Sequence, residues 1–193
     1  MPITSSEQRH LWLQLKQSSG IMRRYFVVNG FDGALTMLGL TMGFYTSSNV
    51  SNPVIISACL GAAVALAVSG FASAYASEAA EREKELKELE QAVARNLDDT
   101  AHGQAARWVP ILIALVNSMS PLLIALFIMS PLWLVQAGIK LPLSALESCI
   151  ALTFITLFLL GAFLGVVSGR FWLWSALRTL MIAFITAGII WLI

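Results

Sequence analysis

Tyr25-Phe-Val-Val-Asn-Gly-Phe-Asp-Gly-Ala-Leu-Thr-Met-Leu-Gly-Leu40 is a long apolar run with a carboxylate set inside it. A charged side chain at the centre of a membrane helix costs roughly 2.5 to 3.5 kcal/mol by insertion scales, so Asp32 needs a partner, a proton or a cation. Which of these it has decides what the chain does.

Around that run the composition is that of an integral membrane protein: of 193 residues, 58% are hydrophobic and 12% charged. A spanning helix takes about 20 apolar residues. The sequence offers five such stretches, Tyr25 to Thr46, Val54 to Ser77, Val109 to Trp133, Leu143 to Ser168 and Phe171 to Ile193. The expected fold is all-α and polytopic, with five transmembrane helices. It divides into an N-terminal segment (1–24), helices one and two (25–77), a charged helical insert (78–107) and helices three to five (108–193).

Basic residues set the expected orientation, because Lys and Arg stay on the cytoplasmic side while acids contribute little. Arg9, Lys16, Arg23 and Arg24 precede the first span, Arg82, Lys84, Lys87, Arg95 and Arg107 lie in the insert, and Arg170 stands in the last turn. The opposite loops carry only Lys140. This pattern places the N-terminus and the insert in the cytoplasm and the C-terminus outside. Arg178, early in the fifth span, is close enough to the cytoplasmic face to snorkel. The first 24 residues contain no uncharged h-region with a small-residue cleavage site, so no cleaved signal peptide is expected. A microbial plasma membrane is the expected location.

Cys59 and Cys149 lie alone in different spans with no CxxC and no nearby His, so they read as buried small apolar residues. No half of the chain repeats. An inverted-repeat transporter made from one chain is therefore disfavoured, and any symmetry must come from a second subunit.

At 100° per residue, Asn29, Asp32, Thr36, Gly39 and Gly43 fall within about a third of the first helix's circumference. Gly39 and Gly43 form a GxxxG pair, which lets another backbone approach closely. This seam packs against protein or lines a cavity. One reading makes Asp32 a fixed salt-bridge acid toward Arg23, Arg24 or Arg178. The other sets two seams around a path in which the carboxylate replaces part of a cation's hydration shell or carries a proton.

The second span continues without Gly or Pro from Tyr75 into Glu78-Ala-Ala-Glu-Arg-Glu-Lys-Glu-Leu-Lys-Glu-Leu-Glu-Gln-Ala-Val-Ala-Arg95. Such residues favour helix, so the helix is expected to project several turns beyond the bilayer. Glu78, Glu81, Glu85 and Glu88 share one face, and Leu86, Leu89 and Val93 form an apolar stripe on another. A solvated helix laced by pairs such as Glu83 with Lys87 is one reading. A carboxylate cluster that concentrates divalent cations is the other.

Arg24-Tyr-Phe-Val-Val-Asn-Gly-Phe-Asp-Gly-Ala-Leu-Thr-Met-Leu-Gly-Leu-Thr-Met-Gly43 resembles the first helix of the vacuolar iron transporter family in its Arg, its Asp-Gly element and its later Gly-rich turn. Tyr75-Ala-Ser-Glu-Ala-Ala-Glu81 resembles the end of that family's second helix, and Ser175-Ala-Leu-Arg-Thr-Leu180 the start of its last. The resemblance implies five helices, a homodimer whose first helices enclose the translocation path, and export of iron(II) or manganese(II) from the cytosol in exchange for protons. Asp32 matches the path carboxylate, and Glu81 the glutamate at the cytoplasmic end of the second helix. Two features depart from the family. Where a Met commonly stands five residues before the Tyr, this chain has Gly70 beside Ser69, and its insert lacks most of the family's extra helices and acids.

In the third span, Asn117-Ser-Met-Ser-Pro121 places polar groups at membrane depth. Pro121 cannot donate to the carbonyl of Asn117, so a kink and a freed carbonyl are expected. Met119 is a candidate sulfur ligand in place of the missing Met, or a packing residue. Glu147, near the outer end of the fourth span, is a candidate exit or proton site, or a partner for Lys140. Gly161, Gly165 and Gly169 read as a close-packing face.

The sequence therefore supports a dimeric five-span transporter rather than an enzyme. Metal ligands are expected at Asp32, Glu78, Glu81 and Glu85, with Asn29, Thr36, Gly39, Gly43, Asn117 and Met119 along the path. Iron(II) or manganese(II) is cargo, so no resident cofactor is expected, and the partners are a second copy, lipid, divalent metal and protons, with no nucleic acid. The alternatives are a membrane scaffold or assembly protein with a paired Asp32, and a cation channel without proton coupling.

Overall fold

A computed structural model describes residues 5–47 and 50–192. Among the described residues there are five helices and no strand: α1 (Ser5–Thr46), α2 (Asn52–Val93), α3 (Ala101–Gln136), α4 (Ala145–Val167) and α5 (Trp172–Trp191). The all-α, polytopic expectation holds. Four helices, α2 to α5, are long and apolar enough to cross a membrane. By that measure α1 is not among them, because Asn29, Asp32, Thr36, Thr41 and its glycines dilute its apolar residues.

Three helices, α1, α2 and α3, run further than the apolar stretches do. α1 begins at Ser5 rather than Tyr25, since nothing but Gly20 interrupts a segment rich in Leu, Gln, Lys and Arg. α2 is one helix of 42 residues, as its unbroken Glu/Lys/Leu sequence requires. At 1.5 Å per residue that is about 63 Å, twice the roughly 30 Å of a hydrocarbon core. Residues 78–107 are thus the end of α2, the loop 94–100 and the start of α3. α3 continues through Pro110, Pro121 and Pro131 as one helix, and all three prolines are buried.

The chain forms two compact units, with α1, α2 and α3 each contributing to both. One comprises residues up to Phe26 with Val68–Met119. Its small core is Ala105, Val109 and Ile113 of α3 with Met22 and Tyr25 of α1. Tyr25 donates its hydroxyl to Glu78 Oε1 at 3.3 Å, and Asn117 donates Nδ2 to the Gly70 carbonyl at 2.6 Å.

The other unit comprises Val27–Ala67 and the chain from Ser120 onward. Its core draws Met37, Leu38 and Met42 from α1, Ile55 and Cys59 from α2, Ile128, Met129 and Leu132 from α3, Cys149 and Leu157 from α4, and Ala183 from α5. Both cysteines are free and fully buried, as expected of small apolar residues. Buried hydroxyls are satisfied by backbone: Thr41 on the Met37 carbonyl at 2.7 Å, Thr153 on that of Cys149 at 2.9 Å. Such internal bonding is what a medium without water demands.

Close approaches within this unit occur at particular glycines. A Cβ at Gly33 would lie 2.8 Å from Pro121 Cα, and one at Gly30 would lie 2.7 Å from Ile124 Cδ1. α4 and α5 pack antiparallel in the same way, Gly165 against Trp172 Cα (2.7 Å) and Gly161 against Ala176 Cα (2.9 Å). Gly169 differs from the expected close-packing face: it lies beyond α4 with φ +65° and nothing near it. Its role is to end the helix, with Gly169 N donating to the Val166 carbonyl and Arg170 N to that of Gly165. That pair of bonds is a Schellman motif, which needs a left-handed residue where Gly169 stands.

Gly39 and Gly43, the GxxxG pair, make no such approach within the chain: Ile190 Cδ1 lies 4.0 Å from a Cβ at Gly39, and nothing lies near one at Gly43. Gly33→Ala should therefore destabilise the fold by about 1 to 3 kcal/mol, as overpacking does. Gly43→Ala should leave the unfolding temperature of the isolated chain in detergent unchanged. Equal losses from the two substitutions would contradict this assignment of faces.

Candidate functional site

Within Val27–Thr46, α1 has two opposed sides. Val27, Gly30, Ala34, Met37, Leu38 and Thr41 are buried, and at 100° per residue they centre on the side opposite Asp32. Asp32 is exposed, flanked along its own face by half-buried Asn29, Thr36, Gly39 and Gly43. The five seam residues thus share one face, which the fold covers only in part: Asp32 is exposed and the other four are half-buried. Among the described residues Asp32 takes part in no ion pair. The fixed salt bridge required by one sequence reading is absent from that set.

The acids of α2 are arranged differently. Arg82 pairs with Glu85 at 3.0 Å, Lys87 with Glu83 at 2.6 Å and Lys84 with Glu88 at 3.9 Å. Each follows from bases three or four residues away on the same helix. The Lys87 hydrogen bond, and then its charge, hold the Glu83 carboxyl below the usual carboxylate range; the same contact raises Lys87. The pair's small contribution is therefore present at neutral pH and lost as pH falls through the lowered Glu83 range. Glu78 is half-buried and accepts from Tyr25, whereas Glu81 is exposed and forms no ion pair among the described residues. Glu78, Glu81 and Glu85 do share a face, but successive turns separate them along it. Among the described residues no three His, Cys, Asp or Glu side chains come together to hold a metal ion. Acids one turn apart on one helix can share an ion but supply only part of the roughly six to eight oxygens a hard cation takes, so further ligands are needed.

Asn117 and Met119 point different ways. Asn117 is 3% exposed and committed to Gly70, whose carbonyl also accepts from Ser73 Oγ at 3.3 Å. Met119 lies on an exposed stripe with Trp108, Leu112, Leu115, Leu123 and Phe127. The structure therefore does not bring the two together. Gly70, standing where the resemblance places a Met, is what lets α2 and α3 approach: a Cβ there would lie 3.2 Å from Asn117 Nδ2.

Glu147 has a local structural task. Its Oε2 accepts from Ser144 N at 2.9 Å while Ser144 Oγ accepts from Glu147 N at 3.2 Å, a capping box that starts α4. Its Oε1 accepts from Tyr45 at 3.3 Å, and it forms no ion pair with Lys140. The Ser144-x-x-Glu147 spacing carries this signal in the sequence. The Tyr25 and Tyr45 contacts, joining residues 53 and 102 positions apart, carry none.

Long apolar helices, one of them extended by a charged segment, define a polytopic helical membrane protein, and α1 adds a polar face on which the Asp32 carboxylate is exposed. The model of the VIT family matches residues 23–106, the stretch that holds Asp32 and Glu81, and so supports the resemblance to the vacuolar iron transporters. That family implies membrane transport of metal ions, and its members are transporters rather than enzymes. No curated protein and no solved structure gives a significant match.

The Gly70–Asn117 contact is testable by stability. Asn117→Ala should cost about 0.6 to 1.7 kcal/mol, the range of hydrogen bonds between membrane helices. Gly70→Met should cost at least as much, because its side chain has to displace the amide. The double variant should lose less than the sum in thermal unfolding; full additivity would mean the two residues do not act together.

Proposed function

We propose that this chain exports a divalent metal, iron(II) or manganese(II), from the cytosol in exchange for protons, as a homodimer whose path runs between the two copies of α1. One observation carries the reading: Asp32 is exposed on a face whose other polar and small residues are half-buried, while the opposite face of the same helix is committed to the core. The family match over residues 23–106 supports metal-ion transport as the class of activity. In this reading Asp32 exchanges a proton for the metal, Asn29 and Thr36 supply neutral oxygens, and Gly39 and Gly43 allow the second copy to approach. Glu78, Glu81 and Glu85 gather metal at the cytosolic side, with Glu81 the acid least engaged by neighbours. Glu147 has both carboxylate oxygens engaged and is assigned no transport step. The Lys and Arg distribution supports a cytosolic N-terminus and 94–100 loop in a plasma membrane.

A scaffold that recruits a soluble partner is the second reading, supported by exposed Leu89 and Val93 on α2. Reconstituted vesicles separate the alternatives. Purified protein should move iron(II) or manganese(II) against an imposed proton gradient, with proton movement tied to metal movement. Asp32→Asn should lower coupled flux at least tenfold. Metal flux with no proton movement would establish a channel, and no flux of either metal would leave the scaffold.

A further inference from the structure

We propose that the turn between α4 and α5 is a binding site for the phosphate of an anionic phospholipid, held by Arg170 and Arg178. A cavity of about 460 Å³ is lined by Arg170, Phe171, Trp174, Ser175 and Arg178. From Phe171 onward the lining residues follow spacings of three, one and three, so they occupy one face of the first two turns of α5. The Schellman bond from Arg170 N to the Gly165 carbonyl, 3.0 Å, fixes the backbone of Arg170. The close contact of Gly165 with Trp172 Cα and Ser175 Cβ fixes the start of α5 beside it. The backbone thereby places both arginines on the lining of one cavity, independently of any ligand.

The charge there is uncompensated by its surroundings. No acid lines the cavity, and the sequence contains no Asp or Glu after Glu147. Among the described residues neither Arg170 nor Arg178 takes part in an ion pair. Phe171, the N-cap of α5, offers no side-chain acceptor to the first helical N–H groups, so the positive end of that helix adds to the field. Guanidinium pairs suit a phosphate because each can donate two parallel hydrogen bonds to its oxygens.

The occupant follows from what surrounds the cavity. α4 and α5, with 23 and 20 residues, are the helices closest in length to a hydrocarbon core, which puts the turn between them at the membrane surface. Phe171 and Trp174 are each 63% exposed, and Trp172 is 45% exposed, an aromatic collar of the kind that sits at headgroup level. Arg178 starts seven residues into the helix, about 10 Å deeper, and its long side chain reaches back toward the surface. A ligand here meets two cations and a wall of aromatic rings. A phospholipid satisfies both, with phosphate on the arginines and glycerol and upper acyl chain against Phe171 and Trp174. A net negative headgroup is favoured over a zwitterionic one because no carboxylate is present to receive an ammonium.

Lipid retention by the full chain tests this. Detergent-solubilised protein offered equal phosphatidylglycerol and phosphatidylcholine should retain phosphatidylglycerol selectively by native mass spectrometry. Each basic residue near an anionic headgroup contributes about 1 kcal/mol, so Arg170→Gln should weaken retention about fivefold and Arg170→Gln with Arg178→Gln about 30-fold. Arg170→Gln alone, lying in the turn outside either helix, keeps the test available if the double variant does not fold. Arg170→Lys should fall between wild type and Arg170→Gln. Soluble glycerol phosphate should not displace the lipid at equal concentration. Displacement would reassign the cavity to a free phosphate ester, and undiminished phosphatidylglycerol retention in Arg170→Gln would overturn the site.

Discussion

The approach of α1 to α3 at Gly33 and Pro121 decides which side of α1 the core takes. With 2.8 Å between an added Cβ and Pro121 Cα, only a residue without a side chain fits, and Pro121 presents backbone that cannot swing away. Once position 33 faces α3, helical geometry turns Gly30, Met37 and Thr41 inward and Asp32 outward. The orientation of the polar seam is thus a consequence of packing on the opposite face. Glycine in the Asp-Gly pair serves the fold, and the carboxylate beside it is displayed by that fold.

The rest of the membrane portion follows a second constraint, that polar groups without water must find partners inside the protein. Threonines on α1, α4 and α5 return their hydroxyls to carbonyls three or four residues back, and Thr179 also reaches the Leu157 carbonyl at 3.0 Å. Asn117 finds Gly70 in the same way. Of these groups Asn117 alone was a path candidate in the sequence, and its amide is held by this contact. A buried amide or hydroxyl with a short backbone contact is more economically explained as structure, which leaves Asp32 distinct.

How much of this was legible in the sequence depended on the range of the interaction. Helix number and the unbroken extension of α2 follow from composition and propensity along a local stretch, and both are present. So is the alignment of Asn29, Asp32, Thr36, Gly39 and Gly43, because helical spacing alone fixes it. The choice among glycines was not legible. GxxxG drew attention to Gly39 and Gly43, yet the intrachain contacts fall at Gly30 and Gly33, since which face of a helix meets which neighbour is a tertiary fact. The start of α1 at Ser5 was missed because apolarity marks membrane spans while helix propensity extends beyond them. The capping role of Glu147 was written in Ser144-x-x-Glu147, but an acid near a span attracts a transport reading first.

Symmetry sharpens the remaining question about Asp32. On the proposed dimer, a two-fold axis running along the open face of α1 sets Asp32 near its own copy, since an isologous interface brings the same surface patch from each chain together. Gly39 and Gly43, where an added Cβ would meet no contact closer than 4.0 Å among the described residues, are where that dimer would bring the two backbones nearest. Two carboxylates across a narrow gap repel, and a cation or a proton between them offsets that repulsion. An interface built this way is therefore unstable when empty and charged, and it is relieved equally by one divalent ion or by protons. That would be the physical basis of the proposed exchange: metal and protons would compete because each offsets the same repulsion, and a seam of small and neutral polar residues around the acids would leave little else to stabilise either state.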